Sequence, residues 1–209
     1  MWRAAASWAL LLIVALAGCR SVDPVVKVGL VAPFEGRDRA IGYDAIYSAR
    51  LAVREINAAG GINGRRLALV ALDDGGDENL ARQAAATLVR DPAVVAVVGH
   101  FLPATTAAAA PVYANAGLPF LAAGSAPLAA TDPATLPATF RDAYAAVSPF
   151  DEVAGPFAGP TYDAFNLLWA ALAQAEETVG RMDRASVQNA LLGLEYAGLT
   201  GSVRQPTAP

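Results

Sequence analysis

The feature that most limits how this chain can fold is a unit that recurs three times between Val25 and Ala123: a β-branched run, a turn, an alanine-rich helical stretch, then the next run. VVKVGLVA (Val25–Ala32) is almost continuously apolar, which suits a strand covered on both faces. The loop APFEGRDRAIG follows. From Tyr43 to Ala59 the period becomes helical: Ala45, Ala49, Ala52, Val53 and Ile56 form one stripe, and Gly60-Gly61 supplies the stop. RLALVALDD (Arg66–Asp74) begins the second unit, and Asp77 is placed to cap a helix to about Arg90 with Leu80, Ala81, Ala84, Ala85 and Leu88 inward. Val94–Val98 begins the third, followed by a helix from about Ala104 to Ala116 and a short fourth strand in PFLAA. This alternation predicts right-handed βαβ crossovers and an α/β fold with a parallel sheet. Ligands of such sheets sit beyond the carboxyl ends of the strands, here Pro33-Phe34, Asp73-Asp74, Gly99-His100-Phe101 and Ala123-Gly124-Ser125.

After Ala123 the pattern changes. GSAPLAATDPATLPATFRDAY (Gly124–Tyr144) is rich in proline and alanine and has no steady period. A helix is expected over Phe140–Val147, then a loop, SPFDEVAGPFAGP. Thr161–Thr178 is a strong helix with Tyr162, Phe165, Leu168, Trp169 and Leu172 on one stripe and Thr161 as its cap. Asp183 is placed to cap a last helix, Ser186–Leu192, and the chain ends in a turn and a polar tail. No second run of strand-helix units is present.

The start of the chain reads as an address rather than as part of the fold. Arg3, an apolar run from Ala4 to Ala17, and LAGC make a secretory signal peptide over residues 1–18, too short for a membrane span of roughly 20 apolar residues. Leu16-Ala17-Gly18-Cys19 resembles a bacterial lipobox, which implies that Cys19 carries the lipid anchor and that residues 19–24 are a tether. Cys19 is the only cysteine, so no disulfide is available and stability must come from packing. With 55% hydrophobic and 16% charged residues the chain has ample apolar surface for a core. Its net charge of −4 and lack of a Lys/Arg run exclude a nucleic-acid partner.

Few residues suit chemistry. His100, the single histidine, stands at a strand end, but its neighbours Gly99, Phe101, Leu102 and Pro103 and the hydroxyls of Thr105 and Thr106 make no nucleophile-base pattern. Asp73-Asp74 could bind a metal, or could accept hydrogen bonds from loop amides; no third ligand is placed beside them. Gly60-Gly61-Ile62-Asn63-Gly64 follows a helix and precedes a strand, the reverse of a phosphate loop. The amides around Pro103–Thr106, at a helix N-terminus, suit a carboxylate, with Thr105, Thr106 and Ser125 as further donors; alternatively Thr105 or Thr106 caps the helix. No catalysis, no cofactor and no metal site are expected.

REINAAGGINGRRLALVALDDGGD, preceded by VKVGLVAPFEG and followed by VVGHFLPATTAAAAPVYANAGLPFLAAGSAPLAAT, resembles the type I periplasmic binding proteins, the branched-chain amino acid (Leu/Ile/Val) receptors of ABC importers. TFRDAY, GPTYDAFNLLWAALAQA, DRASVQNALLGL and GLTGSV resemble the late part of the same family. The resemblance implies a single three-layer lobe with about four parallel strands in the order 2-1-3-4 and helices on both faces. Residues 25–131 would be its early portion, 132–160 a linker with a short helix, 161–203 its late portion and 204–209 a polar tail. In the family two lobes close on the ligand; here Gly124–Tyr144 joins the two parts of one lobe, and the second lobe is deleted.

The resemblance also implies a ligand site at His100, Phe101, Ala104, Thr105, Thr106, Ser125 and Ala126, with Tyr43 beside it. Pro103 stands where the family's serine usually follows the GH motif, Ala126 where a threonine is common, and Ile41 where an aromatic often packs on the ligand. The expected function is that of an extracytoplasmic, lipid-anchored solute-binding protein for ABC-type import of an amino acid or small carboxylate, degraded by loss of one lobe. Its partners would be that ligand, the importer's permease and the membrane. The alternatives are an interaction lipoprotein that forms a homodimer through the exposed inter-lobe face, and a non-functional remnant.

Overall fold

Strand β1 (Val26–Ala32) is buried along nearly its whole length because it has a neighbour on each side. β2 (Leu67–Asp73) and β3 (Val94–Val98) flank it, both parallel to it, and β4 (Phe120–Leu121) lies outside β3. The computed structural model describes residues 25–150 and 152–204; the signal peptide, Cys19 and the tether therefore lie outside the described residues. Among those described, the parallel sheet has the expected order β2-β1-β3-β4, and there is no second parallel sheet. No helix among them is long and apolar enough to cross a membrane.

The connecting helices are α1 (Arg39–Ala58), α2 (Glu78–Arg90) and α3 (Pro103–Asn115). Side chains of a strand alternate between faces, so β1 and β3 feed two cores. Val28, Leu30, Ala32, Ala96 and Val98 pack with Ala45, Ala49 and Ala52 of α1. Val31, Val94 and Val97 pack with Ala81, Ala84, Ala85 and Leu88 of α2 and with Ala109 and Tyr113 of α3. Asp77 caps α2, accepting from the amides of Asn79 and Leu80. Leu80, expected inward, is 43% exposed: it lies beside the buried stripe of Ala81, Ala84, Ala85 and Leu88 rather than on it.

The late part of the chain completes the first core. After a short helix, α4 (Ala138–Ala145), comes α5 (Ala158–Val179), whose Phe165, Leu168 and Leu172 join the core beside α1. It starts three residues before Thr161, which is not its cap; the Thr161 hydroxyl is buried without a partner. Pro160 fits there because an amide in the first helical turn has no intrahelical acceptor to lose. Helix α6 (Arg184–Leu191) is capped by Asp183, as expected, through a reciprocal box with Ser186. α1 starts at Arg39 rather than Tyr43, and the loop before it is tied to β2 by the Phe34 amide, which donates to the Asp73 carboxylate at 2.7 Å.

Two polar clamps hold the late part: one ties it to the early part and the other closes within it. The Arg184 guanidinium donates to the carbonyls of Val94, Val89 and Asp91 at 2.9–3.0 Å, at the foot of β3. The buried Asp163 carboxylate of α5 accepts from the amides of Leu199 and Thr200 and from the Thr200 hydroxyl. That turn belongs to an antiparallel hairpin of β5 (Glu195–Gly198) and β6 (Gly201–Arg204), where a turn and tail were expected, and Arg204 is part of β6.

Because α5 and α1 share one core, the two parts should unfold together. Phe165→Ala should remove about 3–5 kcal/mol of stability. Urea denaturation should show a single transition shifted as a whole, and two separate transitions would show that the parts fold apart.

Candidate functional site

The carboxyl ends of β1, β2 and β3 turn into loops held by acidic side chains. Asp73 accepts from the amides of Phe34 and Gly75, and Asp74 accepts from the Gly76 amide at 3.0 Å. The loop-amide reading of this pair is what the geometry carries. Gly99 follows β3 with φ 124°, a conformation that L side chains rarely adopt, and any Cβ there would press on the Val31 carbonyl. This bend carries the next side chain inward.

His100 is consequently fully buried and does not line a mouth. Its Nδ1 lies 2.6 Å from Asp74 Oδ2 and its Nε2 3.2 Å from the Tyr113 hydroxyl. Burial, with the Asp74 charge as the smaller cause, holds the Tyr113 phenol well above its ordinary range, so it stays protonated and can donate to Nε2. The tautomer with hydrogen on Nδ1 then satisfies all three groups. The cluster ties β2, β3 and α3 together from inside. Nothing in the sequence joins Asp74 to Tyr113, and only the topology brings them within reach.

Thr105 is also buried, and its hydroxyl donates to the Leu102 carbonyl. Thr106 is half-buried and its hydroxyl donates to the His100 carbonyl at 3.1 Å. Both threonines thus use their hydroxyl hydrogens on the start of α3. The amides of the first turn, at Ala104 and Thr105, keep the open donor position common to helix N-termini.

A hollow of about 280 Å³ lies along the flank of α3, lined by Phe101, Pro103, Thr106, Ala107, Ala110, Ala123, Gly124 and Ser125. It unites three of the expected residues: Phe101, Thr106 and Ser125. Among the described residues, Thr106 and Ser125 are its polar side chains, and no charged side chain lines it. Ala104 is exposed but outside the lining, and Ala126 lines an adjoining hollow of about 170 Å³ with Ser125, Leu128 and Arg204. Tyr43 is not beside this hollow. It lines a separate one with Phe34, Ile46, Tyr47, Arg50 and Ala71, because α1 turns that face toward the β2 edge.

One wall residue is braced by a segment that the sequence did not single out. Phe101, 3% exposed, meets the Phe157 ring edge-on at 5.8 Å between centroids. Phe157 is held by Asp44 of α1, whose carboxylate accepts from the amides of Gly155 and Phe157, each at 3.1 Å.

A family model described as periplasmic binding protein matches residues 25–140. An amino acid binding protein of Pseudomonas aeruginosa is 38% identical over 100 residues, 48% of this chain and 27% of that protein. A Leu/Ile/Val-binding protein homolog of Brucella melitensis is 34% identical over 110 residues, 53% of this chain and 27% of the relative. The matched region thus spans little more than a quarter of these relatives. Among solved structures, the substrate binding protein LivJ of a branched-chain amino acid transporter from Streptococcus pneumoniae, in complex with isoleucine, superposes with a TM-score of 0.71 at 17% identity, covering 86% of this chain and 91% of that one. The leucine binding protein LivK from Thermotoga maritima superposes with a TM-score of 0.67 at 12% identity, covering 87% and 91%. These two likenesses are of fold.

Tyr113→Phe would leave His100 Nε2 buried without its donor. A loss of about 1–3 kcal/mol in chemical denaturation is expected, and no measurable loss would show that the cluster does not brace α3.

Proposed function

Because the chain belongs to the periplasmic binding protein family, we propose that it is an extracytoplasmic solute-binding lipoprotein of an ABC-type importer, taking an amino acid or a similar small carboxylate. The observation that carries this reading is the hollow at the carboxyl ends of β3 and β4, with Thr106 and Ser125 on a wall otherwise apolar. Such placement is general for ligands of parallel sheets. The ligand's carboxylate would turn toward the Ala104 and Thr105 amides and the Ser125 hydroxyl. Its apolar body would rest on Phe101, Ala107, Ala110 and Ala123. No catalytic step is part of this reading.

The grip is one-sided. Sites that hold small molecules well bury roughly 70–90% of the ligand, and a single hollow beside a single sheet leaves the ligand's far side in water. An ammonium group would find no carboxylate among the lining residues. Weak binding follows. Residues 1–18 would be removed on export and Cys19 would carry the anchor; more than one acyl chain makes such an anchor stable. The importer's permease would be the downstream partner.

A second reading rests on exposed apolar side chains. Phe150 is 82% and Val153 84% exposed, and a homodimer that covers them would bury that apolar surface.

Adding leucine, valine or a panel of small carboxylates to the chain that starts after Cys19 should shift the amide resonances of Thr106 and Ser125, with dissociation constants in the millimolar range or weaker. A micromolar constant for a monomer would refute the one-sided grip, and a folded monomer with no shift at either residue would refute the site. Cys19→Ala should move the exported protein from the membrane fraction to the soluble one; unchanged membrane association would refute the lipid anchor.

A further inference from the structure

Strand β2 is an edge of the sheet, with β1 as its neighbour on one side only. The ladder between them fixes which way its backbone points. The Val26 amide donates to the Arg66 carbonyl and the Asp74 amide to the Ala32 carbonyl, so the even-numbered residues from Arg66 to Asp74 turn their backbone groups toward β1. Leu67, Leu69, Ala71 and Asp73 turn theirs outward. Asn57 of α1 closes the first of these positions: its side-chain amide donates to the Leu67 carbonyl at 2.8 Å, and its side-chain oxygen accepts from the Leu67 amide at 2.9 Å. Among the described residues, no group pairs with the outward amides and carbonyls of Leu69, Ala71 and Asp73. Sheets usually blunt such an edge with charge, proline or a bulge. Leu67–Leu72 reads LALVAL and keeps an unbroken register with β1.

We propose that this open edge pairs with the same edge of a second copy of the chain, antiparallel about a two-fold axis that runs between the two Ala71 residues and normal to the sheet, so that two four-stranded sheets become one.

The register follows from the guard at Leu67. A two-fold axis normal to the sheet keeps each face on its own side, so outward-turned positions meet outward-turned positions. Asn57 closes Leu67, and Gly75-Gly76 turns the chain away at positive φ. The three open positions then pair as Leu69 with Asp73, Ala71 with Ala71, and Asp73 with Leu69 of the second copy. Each open amide and carbonyl gains a partner, and Asn57 stays where it is.

Charge selects a second copy over an unrelated strand. Arg50 is exposed, its guanidinium lies 5.9 Å from the centroid of the Tyr47 ring, and it has no acidic partner among the described residues. It lines the hollow of about 280 Å³ that Phe34, Tyr43, Tyr47 and Ala71 form beside this edge. Asp73 accepts both of its loop amides through Oδ1, which leaves Oδ2 without a partner among the described residues. In the pair, Asp73 of the second copy stands opposite Leu69, two residues from Ala71 and on the same face, where Arg50 lines the edge. The two-fold axis repeats the match, so each edge supplies the acid that the other lacks. The same approach covers Tyr43, which is 39% exposed. The seam lies across the sheet from β4, so it leaves the α3 hollow open and does not rest on the function proposed above.

Sedimentation of the chain that starts after Cys19, which holds every described residue, tests the pairing with no ligand present. A monomer–dimer equilibrium is expected between about 1 and 100 µM. In amide-resolved hydrogen exchange, protection at Leu69, Ala71 and Asp73 should rise about ten-fold with concentration, whereas Ala68 and Val70, bonded to β1, should stay protected throughout. Ala71→Pro removes an outward amide without touching the ladder to β1 and should weaken the dimer at least about ten-fold. Arg50→Glu, on an exposed side chain, should do the same by setting like charges together. A monomer at about 100 µM would overturn the pairing and leave the edge to a strand of another protein. A dimer whose Leu69 and Ala71 amides exchange as fast as in dilute solution would overturn it by putting the contact on another face, such as the one that carries Phe150 and Val153. A dimer unmoved by Arg50→Glu would also overturn it.

Discussion

A four-stranded parallel sheet needs two helices on each face, and this requirement governs the rest of the molecule. A helix with its side chains is roughly 10 Å across and neighbouring strands are about 4.8 Å apart, so one helix covers about two strands. The early βα units supply α2 and α3 to one face but only α1 to the other. The missing cover comes from α5, encoded some forty residues after β4 (on the order of a linker, not of a domain). Fully burying a large apolar side chain contributes roughly 1.5–3 kcal/mol; Phe165, Leu167, Leu168 and Leu172 are all fully buried. Arg184 ties the late part to the foot of β3, and Asp163 ties α5 to the β5–β6 turn. The lobe can therefore close without a second lobe, since its core needs only the return of one helix to the α1 side.

The elements legible in the sequence are those set by local chemistry. β3 has the predicted bounds because five consecutive buried residues between Ala93 and Gly99 leave no other register. Asp77 and Asp183 cap as predicted because an Asx side chain can reach only the amides two and three residues on. Errors arose where a distant partner decides. Thr161 has the residue type of a cap, yet the helix continues past it to Ala158, as Asp44 holds the amides of Gly155 and Phe157 from the other end of the chain. Leu80 fits the helical stripe by period, but the buried face of the helix is the one carrying Ala81, Ala84, Ala85 and Leu88. The β5–β6 hairpin is too short for a period of two to register, and its turn is organised by Asp163, thirty-six residues earlier.

The loops at the carboxyl ends of the strands were legible in the sequence, but the partners of their polar groups were not. Their location follows from topology alone, since strand ends and a helix start converge there whatever their residues. The polar residues that stood out, Asp73, Asp74, His100, Thr105 and Thr106, mostly satisfy one another and the loop amides. A buried polar group without a partner costs free energy, so the groups nearest the core are consumed first, leaving only those at the surface for a ligand. Here that leaves Ser125, the lone pairs of Thr106 and the first amides of α3.

This remainder bears on what such a hollow can hold. Backbone amides and hydroxyls meet a carboxylate well, and Phe101 with the alanines meets an apolar body. Neither meets an ammonium. Asp44 is the buried acid behind the Phe101 wall, but its two oxygens already accept two amides, and drawing it toward a ligand would free the Phe157 ring on which that wall leans. An α-amino acid would thus keep its ammonium in water while its carboxylate and side chain compete for one shallow surface. Under the function proposed above, a carboxylate with a compact apolar body and no second charge would meet no such conflict, and the shape of the apolar part would then matter more than an amino group.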